Sequence, residues 1–171
     1  MAERARVLVA CVGNVLRGDD GFGQAVEQQL RVGGALPSEV EVIETGIGGM
    51  GIVQQLMGGY DALIVVDAVD RGAAPGTVFV LEPEVPEPSS LGTDAWRERF
   101  SNLHLAEPGR VFLLARALGV LPERVLVVGC QPLSCEDFSQ QLSPPVAAAV
   151  HVASRRVLEL ASRHVSAPKE P

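Results

Sequence analysis

The sequence predicts an α/β domain: a three-layer sandwich in which helices cover both faces of a twisted, mixed but mostly parallel sheet of about five strands. Short runs rich in Val and Ile have the length of buried strands, and segments with helical periodicity alternate with them. The length of 171 residues favours a single domain with a sizeable core. We assign residues 1–165 to this domain and expect 166–171 to be a disordered tail.

The first half of the chain alternates strands with helices. A buried strand is predicted at Val7–Val12, and a helix follows that is capped by Asp19 or Asp20 and ends near a pair of glycines. The apolar residues at helical spacing are Phe22, Val26 and Leu30. Residues 39–44 alternate as a second strand, and the glycine-rich turn 45–51 leads into a short helix.

The second half of the chain supplies the remaining elements. In chain order they are a buried strand that ends in an aspartate (62–67), a strand (77–81), a helix (109–118), a buried strand (124–129) and a long helix opened by Ser143 and Pro144. The segment 82–102, rich in Pro, Glu and Ser, is expected to be a mobile loop, and a second loop covers 130–142.

The charge balance and the cysteine content exclude several classes of function. Lys and Arg number 14 against 21 Asp and Glu, and the net charge of -7 argues against nucleic acid and anionic membrane surfaces. Membrane insertion is not expected, because the chain has no run of about 18 apolar residues and no signal-peptide pattern. Three cysteines without a CxxC pair indicate a reducing compartment, so we predict a cytoplasmic protein. We expect a monomer with a transient partner.

A glycine-rich turn follows the first strand. Gly13 and Gly18 have the spacing of a P-loop, but Asp19 and Asp20 stand where that loop carries Lys and Ser or Thr. A dinucleotide fingerprint also fails, since Val15 replaces its second glycine. The turn therefore favours a cation over a phosphate.

Further polar residues are expected at the same edge of the sheet, where ligands of parallel sheets bind. Asp19 and Asp20 follow the first strand, Asp67 and Asp70 follow a later one, and His104 precedes a helix that leads back to the sheet. Two carboxylates and an imidazole would make an open three-ligand site for a divalent metal. Taken singly, each aspartate is equally compatible with a helix cap or turn, and the histidine with a structural role.

The cysteines offer a competing interpretation. Cys130 and Cys135 follow a strand and, with Cys11, could form a thiolate metal site or supply a nucleophile. Their spacing matches no standard zinc pattern, and Cys11 is most simply a core residue. His151 and His164 lie on the final helix and are expected at the surface.

Five blocks of the sequence follow one another in a recognisable order. They are Gly13–Gly23, Asp67–Thr77, His104, Val128–Pro132 and Leu142–Pro144. These blocks resemble the hydrogenase maturation proteases, which process nickel-iron hydrogenase large subunits, and the resemblance covers about residues 7–160.

The resemblance implies a function and a site. In this family an acidic residue, an aspartate and a histidine form a nickel-recognition triad, which would fall on Asp20, Asp67 and His104. Asp19 would then be the turn and cap residue. The implied reaction is that of an aspartic-type endopeptidase, which removes a C-terminal peptide from the large-subunit precursor after nickel insertion. The nickel would arrive with the substrate, so the resting enzyme needs no metal of its own.

The surroundings of the triad suggest the substrate path and show two departures from the family. The loops 82–102 and 130–142 are expected to flank the substrate tail, with Trp96 or Phe100 as contacts or as side chains merely tucked into a solvated loop. Pro108, soon after the histidine, is expected to delay the following helix, and Cys130 stands where relatives carry an aliphatic residue. Water could be activated by the metal or by an aspartate acting as base.

Two other functions remain open on the sequence. A hydrolase could hold its own zinc or manganese at Asp20, Asp67 and His104. A non-enzymatic nucleotide-binding module is the third possibility, and the adjacent Asp19 and Asp20 argue against it.

Overall fold

The computed structural model of this chain describes residues 5–34, 36–90, 92, 94 and 108–166, and in that part five strands form one sheet. The strands are β1 (Val7–Val12), β2 (Val40–Gly46), β3 (Ala62–Ala68), β4 (Val78–Leu81) and β5 (Arg124–Cys130). Their order across the sheet is β2-β1-β3-β5-β4, and β4 alone runs antiparallel to its neighbour. The predicted mixed, mostly parallel sheet is confirmed.

Helices cover both faces of the sheet, which confirms the predicted three layers. Those described are α1 (Phe22–Gly33), α2 (Met50–Leu56), α3 (Pro108–Ala117) and α4 (Pro144–Ser166). Val7, Val9 and Cys11 of β1 pack in one core with α1 and α4, while Leu8 and Ala10 pack in a second core with α2 and α3. Because successive side chains of a strand alternate between faces, β1 feeds both cores and is apolar throughout.

The register of the two central strands sets the position of the site. Val7 pairs with Ala62 and Cys11 with Val66, so β1 and β3 begin and end level with each other. Residues that follow β1 therefore meet the last residues of β3 at one edge of the sheet. β3 extends to Ala68, one residue beyond the predicted strand.

The expected cap of α1 is wrong. Gly21 is the N-cap residue and makes no side-chain hydrogen bond, while Asp19 and Asp20 lie in a 3₁₀ turn that precedes the helix. The helix starts very close to the strands: a Cβ on Gly23 would lie 2.1 Å from the Val12 carbonyl oxygen. At the other end the prediction holds, since α1 ends at Gly33 and the next glycine is left-handed.

Several expectations fall largely outside the described residues. Of the segment 82–102, only 82–90, 92 and 94 are described, and they include a 3₁₀ turn at Pro88–Ser90. Ser166 is the last residue of α4, and the rest of the expected tail, 167–171, is not described. Among the described residues, no helix combines the length and apolar character that crossing a bilayer requires.

Candidate functional site

The turn after β1 folds back onto itself. Gly13 has a φ of 141°, and a Cβ at this position would lie 1.9 Å from the Asp20 backbone oxygen. That oxygen accepts a hydrogen bond from the Asn14 amide at 3.1 Å. Gln24 of α1 donates from Nε2 to the Gly13 carbonyl at 2.7 Å. Only glycine fits this close approach, which places Asp20 beside the end of β1.

Asp19 is a structural clamp. Its side chain is 1% exposed. It accepts hydrogen bonds from the Leu133 amide at 2.8 Å and from the Ser143 amide and hydroxyl at 2.6 and 2.8 Å, with a longer bond from the Ser134 amide at 3.4 Å. The aspartate thus joins the glycine-rich turn to both ends of the loop 131–143. The Ser143 hydroxyl is directed at Asp19 rather than at an amide of α4.

Backbone hydrogen bonds reinforce this junction. The Gly18 amide donates to the Ser139 carbonyl at 2.7 Å, and the Ser139 amide donates to the Leu16 carbonyl at 3.1 Å. The Asp19 amide donates to the Ser134 carbonyl at 3.1 Å. The loop that follows β5 therefore lies against the turn that follows β1.

Asp20 and Asp67 are brought together at this edge. Asp67 is 8% exposed, and burial raises its pKa to about 7, aided by the negative charge of Asp20 and opposed by the Ala68 backbone amide. The pKa of the half-buried Asp20 is also raised by burial, while the Asn14 amide and Arg17 act in the opposite direction. The two carboxylates thus share a site in which their charges are incompletely compensated.

This pair can do two kinds of chemistry. Two desolvated carboxylates, of which Asp20 is influenced by the exposed Arg17, favour a divalent metal over an anion. A carboxyl group with a pKa near 7 can also exchange protons at neutral pH. In the described part of the chain, no three His, Cys, Asp or Glu side chains form a group able to hold a metal. The third predicted ligand, His104, lies outside the described residues, as do Trp96 and Phe100.

Asp70, which was also a candidate metal ligand, has a structural role. It is exposed and accepts a hydrogen bond from Gln131 Nε2 at 2.9 Å, and this bond is the main cause that lowers its pKa. Gln131 Oε1 in turn accepts the amides of Arg71 and Ala73 at 2.7 and 3.2 Å. Asp70 and Gln131 therefore shape the turn between β3 and β4. Gln131 is not among the residues predicted from the sequence, although a glutamine directly after a buried strand is a signal for such a partner.

The thiolate interpretation finds little support. The three cysteines are free. Burial raises the pKa of Cys11, in the core, and it raises those of Cys130 and Cys135 to about 11. The nearby carboxylates raise the Cys135 value further, so these groups are thiols at neutral pH.

The two remaining histidines are on α4, away from this edge. His151 is exposed, as predicted. His164 is partly buried, and burial together with Arg124 lowers its pKa.

Comparison with known proteins identifies the family. A model of the hydrogenase maturation protease family matches residues 25–160. The hydrogenase 2 maturation protease of Escherichia coli is 34% identical over 154 residues, which are 90% of this chain and 88% of that protein. The HoxM hydrogenase expression/formation protein of Azotobacter vinelandii is 38% identical over 163 residues, or 94% and 75% of the two chains.

Other relatives are longer than this chain. The HupD hydrogenase expression/formation protein of Rhodobacter capsulatus is 34% identical over 148 residues, which are 86% of this chain and 67% of that protein. This chain thus spans about two thirds of that relative's length.

Solved structures agree. The hydrogenase maturating endopeptidase HybD of Escherichia coli superposes with a TM-score of 0.73 at 29% identity, covering 92% of this chain and 93% of that one. A hydrogenase 2 maturation peptidase from a Thaumarchaeota archaeon gives a TM-score of 0.65 at 35% identity, covering 91% and 97%. The resemblance seen in the sequence is confirmed, and the chain belongs to the hydrogenase maturation protease family.

Proposed function

We propose that this protein is an endopeptidase that removes a C-terminal peptide from the precursor of a nickel-iron hydrogenase large subunit after nickel insertion. Asp20, Asp67 and His104 recognise nickel that is held by cysteine thiolates of the substrate. The single observation that carries this proposal is the proximity of Asp20 to the buried Asp67, whose pKa its charge helps to raise, at the carboxyl end of the central strands of a maturation-protease fold.

The electrostatics support cation recognition. A metal between the two carboxylates would remove the repulsion that contributes to the raised pKa of Asp67, and it would hold both groups ionised. Without a cation, the raised pKa of Asp67 makes this group harder to ionise at neutral pH than an ordinary aspartate. A bound cation is therefore needed to compensate the negative charge of Asp20 and Asp67.

The position of His104 in the chain is compatible with the third role. Asp67 lies on the same face of β3 as Leu63 and Val65, which pack in the core with α2 and α3. His104 precedes α3 by a few residues in the sequence. The helix that His104 precedes in the sequence thus packs on the face of the sheet that Asp67 occupies.

Docking of the metal would place the scissile peptide beside the carboxylates. Such positioning can contribute on the order of 7–11 kcal/mol to a reaction. Hydrolysis adds water to the carbonyl carbon, breaks the C–N bond and delivers a proton to the leaving nitrogen. A carboxylate beside the scissile peptide, Asp20 or Asp67, would take the proton from water and return it to the leaving nitrogen.

The test is cleavage of nickel-loaded and nickel-free precursor by purified variants. Asp20→Asn and Asp67→Asn should each lower the rate on nickel-loaded precursor by about 100-fold or more. Asp137→Asn, the same substitution at an exposed position of the loop 131–143, is the matched control and should cleave normally. Cleavage that is equally fast without nickel, or full activity of either site variant, would contradict the proposal.

Metal analysis separates this proposal from a hydrolase that owns its metal. The purified protein should contain no stoichiometric zinc or manganese and should cleave loaded precursor without added metal. Tightly bound zinc at one equivalent, removed by Asp67→Asn, would favour the second function instead.

A further inference from the structure

Large apolar side chains are exposed around the carboxylate pair. The turn after β1 exposes Val15 and Leu16 by 46% and 39%, and the loop 131–143 exposes Leu133 and Phe138 by 63% and 89%. A phenylalanine left this open to water is unusual, and a cluster of exposed apolar groups typically marks an interaction site. We call these four residues the apolar rim.

The hydrogen bonds of the backbone bring two members of the rim together. Arg17 and Ser139 form an isolated parallel bridge, and Leu16 and Phe138 directly precede them in the sequence. The Ser139 amide donates to the Leu16 carbonyl at 3.1 Å, so the two segments lie side by side. Leu16 and Phe138 are therefore exposed on adjoining segments of the surface.

The rim is held in place before any partner arrives. The amides of Gly18 and Ser139 join its two segments at 2.7 and 3.1 Å, and Asp19 accepts the amide of Leu133 at 2.8 Å. A surface that is already ordered loses little conformational entropy on binding. This arrangement is expected of a docking surface and is not needed for folding, since the four side chains contribute little to either core.

We propose that the apolar rim docks an apolar stretch of the hydrogenase large-subunit precursor, next to the cysteines that hold its nickel. This inference rests on the proposed function. Two carboxylates alone accept any suitable cation, so recognition of a polypeptide requires contacts beyond them. The rim can provide such contacts because it lies close to the carboxylates. Val15 and Leu16 belong to the same turn as Asp20, and the Leu133 amide donates a hydrogen bond to Asp19.

A second copy of this chain is the other apolar partner to consider. A copy seated on the rim would lie across the edge of the sheet where Asp20 and Asp67 meet, and it would compete with any substrate. The continuity of the rim with the carboxylate pair therefore favours the precursor as the occupant.

The test is a double variant, Leu16→Ser with Phe138→Ser, assayed with nickel-loaded precursor. The KM for cleavage and the Kd for precursor binding should both rise about tenfold, while kcat stays within about twofold of wild type. The control is Val32→Ser, which removes an apolar side chain that is 86% exposed on α1, and it should leave both constants unchanged. Circular dichroism and the unfolding midpoint check that the double variant is folded.

The outcomes separate this inference from the proposed function. The rim is not the docking surface if the double variant binds and cleaves as wild type does, or if Val32→Ser weakens binding equally. Light scattering that shows a dimer of wild type but a monomer of the double variant would assign the rim to a second copy, and would also overturn the inference. Wild type that binds precursor through the rim but does not cleave it would refute the proposed function alone.

Discussion

The two ends of the central strands β1 and β3 differ in how their charged groups are compensated. At the amino end, charged and polar groups meet partners of opposite polarity. At the carboxyl end, the negative charge of Asp20 acts on a second carboxyl group, that of Asp67. Because both ends belong to the same pair of strands, the difference comes from the residues that precede and follow them.

At the amino end, Arg6 and Asp61 directly precede the two strands and bind each other. The Arg6 amide donates to the Asp61 carboxylate at 2.7 Å, and its guanidinium donates to the Gly58 and Gly59 carbonyls at 2.7 and 3.0 Å. The same guanidinium lies 4.5 Å from the centre of the Tyr60 ring. The charged groups at this end therefore have hydrogen-bonding or charged partners, and these contacts stabilise the fold.

At the carboxyl end, the balance is left incomplete. Burial raises the pKa of Asp67 to about 7, and the charge of Asp20 adds to the effect. The adjacent Asp19, by contrast, accepts hydrogen bonds from amides and a hydroxyl of the loop 131–143. The two carboxylates leave this end electrostatically less stable than the amino end, as the proposed binding of a cation requires.

The largest expected effect on stability is at Asp67. The folded-state pKa of about 7 lies above the ordinary value of 3.8, so the folded protein binds more protons between these pH values and its stability falls as the pH rises. Asp67→Asn should match wild type near pH 4 and gain up to about 4 kcal/mol in the free energy of unfolding at pH 8. Urea denaturation across this range measures the difference. Equal stability of the two proteins at pH 8 would show that ionised Asp67 does not destabilise the folded protein.

Gly13→Ala tests whether the turn after β1 requires the close approach between Gly13 and the backbone of Asp20. The new Cβ would lie 1.9 Å from the Asp20 backbone oxygen at a φ of 141°, so we expect a loss of about 3 kcal/mol in the free energy of unfolding, with reduced cleavage. Gly33→Ala, which has no atom within 4 Å of its Cβ, should change stability by about 1 kcal/mol or less. Similar results for the two variants would show that the turn relaxes freely.

Asp19→Asn tests the clamp between the turn and the loop 131–143. The NH₂ group of Asn would face either the Ser143 amide or the donors of Leu133, Ser134 and the Ser143 hydroxyl, which should cost about 2 kcal/mol in denaturant unfolding. Ser143→Ala removes only the hydroxyl bond of 2.8 Å and should cost about 1 kcal/mol. The clamp would be unimportant if Asp19→Asn were the milder change.

Arg6→Ala tests the opposite end of the strands and should have the smallest effect. Its side chain is 48% exposed where it meets Glu41 at 3.8 Å, and exposed pairs of this kind contribute little. We expect a loss of about 1 kcal/mol in stability and unchanged cleavage of nickel-loaded precursor. Reduced cleavage by a folded Arg6→Ala variant would contradict the hypothesis that the amino end of the strands serves stability alone.

Much of the fold was predictable because the signals are local. The strand β1 is apolar on both faces, and the helix after it repeats Phe22, Val26 and Leu30 on one side. Parallel strands buried between two helical layers follow from these patterns. The position of Asp67 at the end of β3 followed in the same way, from an apolar run that terminates in a carboxylate.

The residue patterns alone did not distinguish the roles of neighbouring residues, and only the family resemblance gave Asp19 the turn and Asp20 the triad. Asp19 and Asp20 are identical side chains in the same turn, yet one is clamped by amides of a segment more than a hundred residues away and the other faces Asp67. Gln131 acquired its role in the same way, through amides of the turn after β3. Such partners are brought together only by the packing of the chain.

The sequence by itself thus determined the layers, the glycine-rich turn and the resemblance to the maturation proteases, because periodicity and motif spacing are properties of the linear chain. The tertiary structure decided which aspartate serves as the clamp, why Gly21 rather than a carboxylate caps α1, and how strongly Asp67 is perturbed. The physical reason is that burial, like-charge repulsion and the choice of hydrogen-bond donor depend on distances between segments remote in sequence.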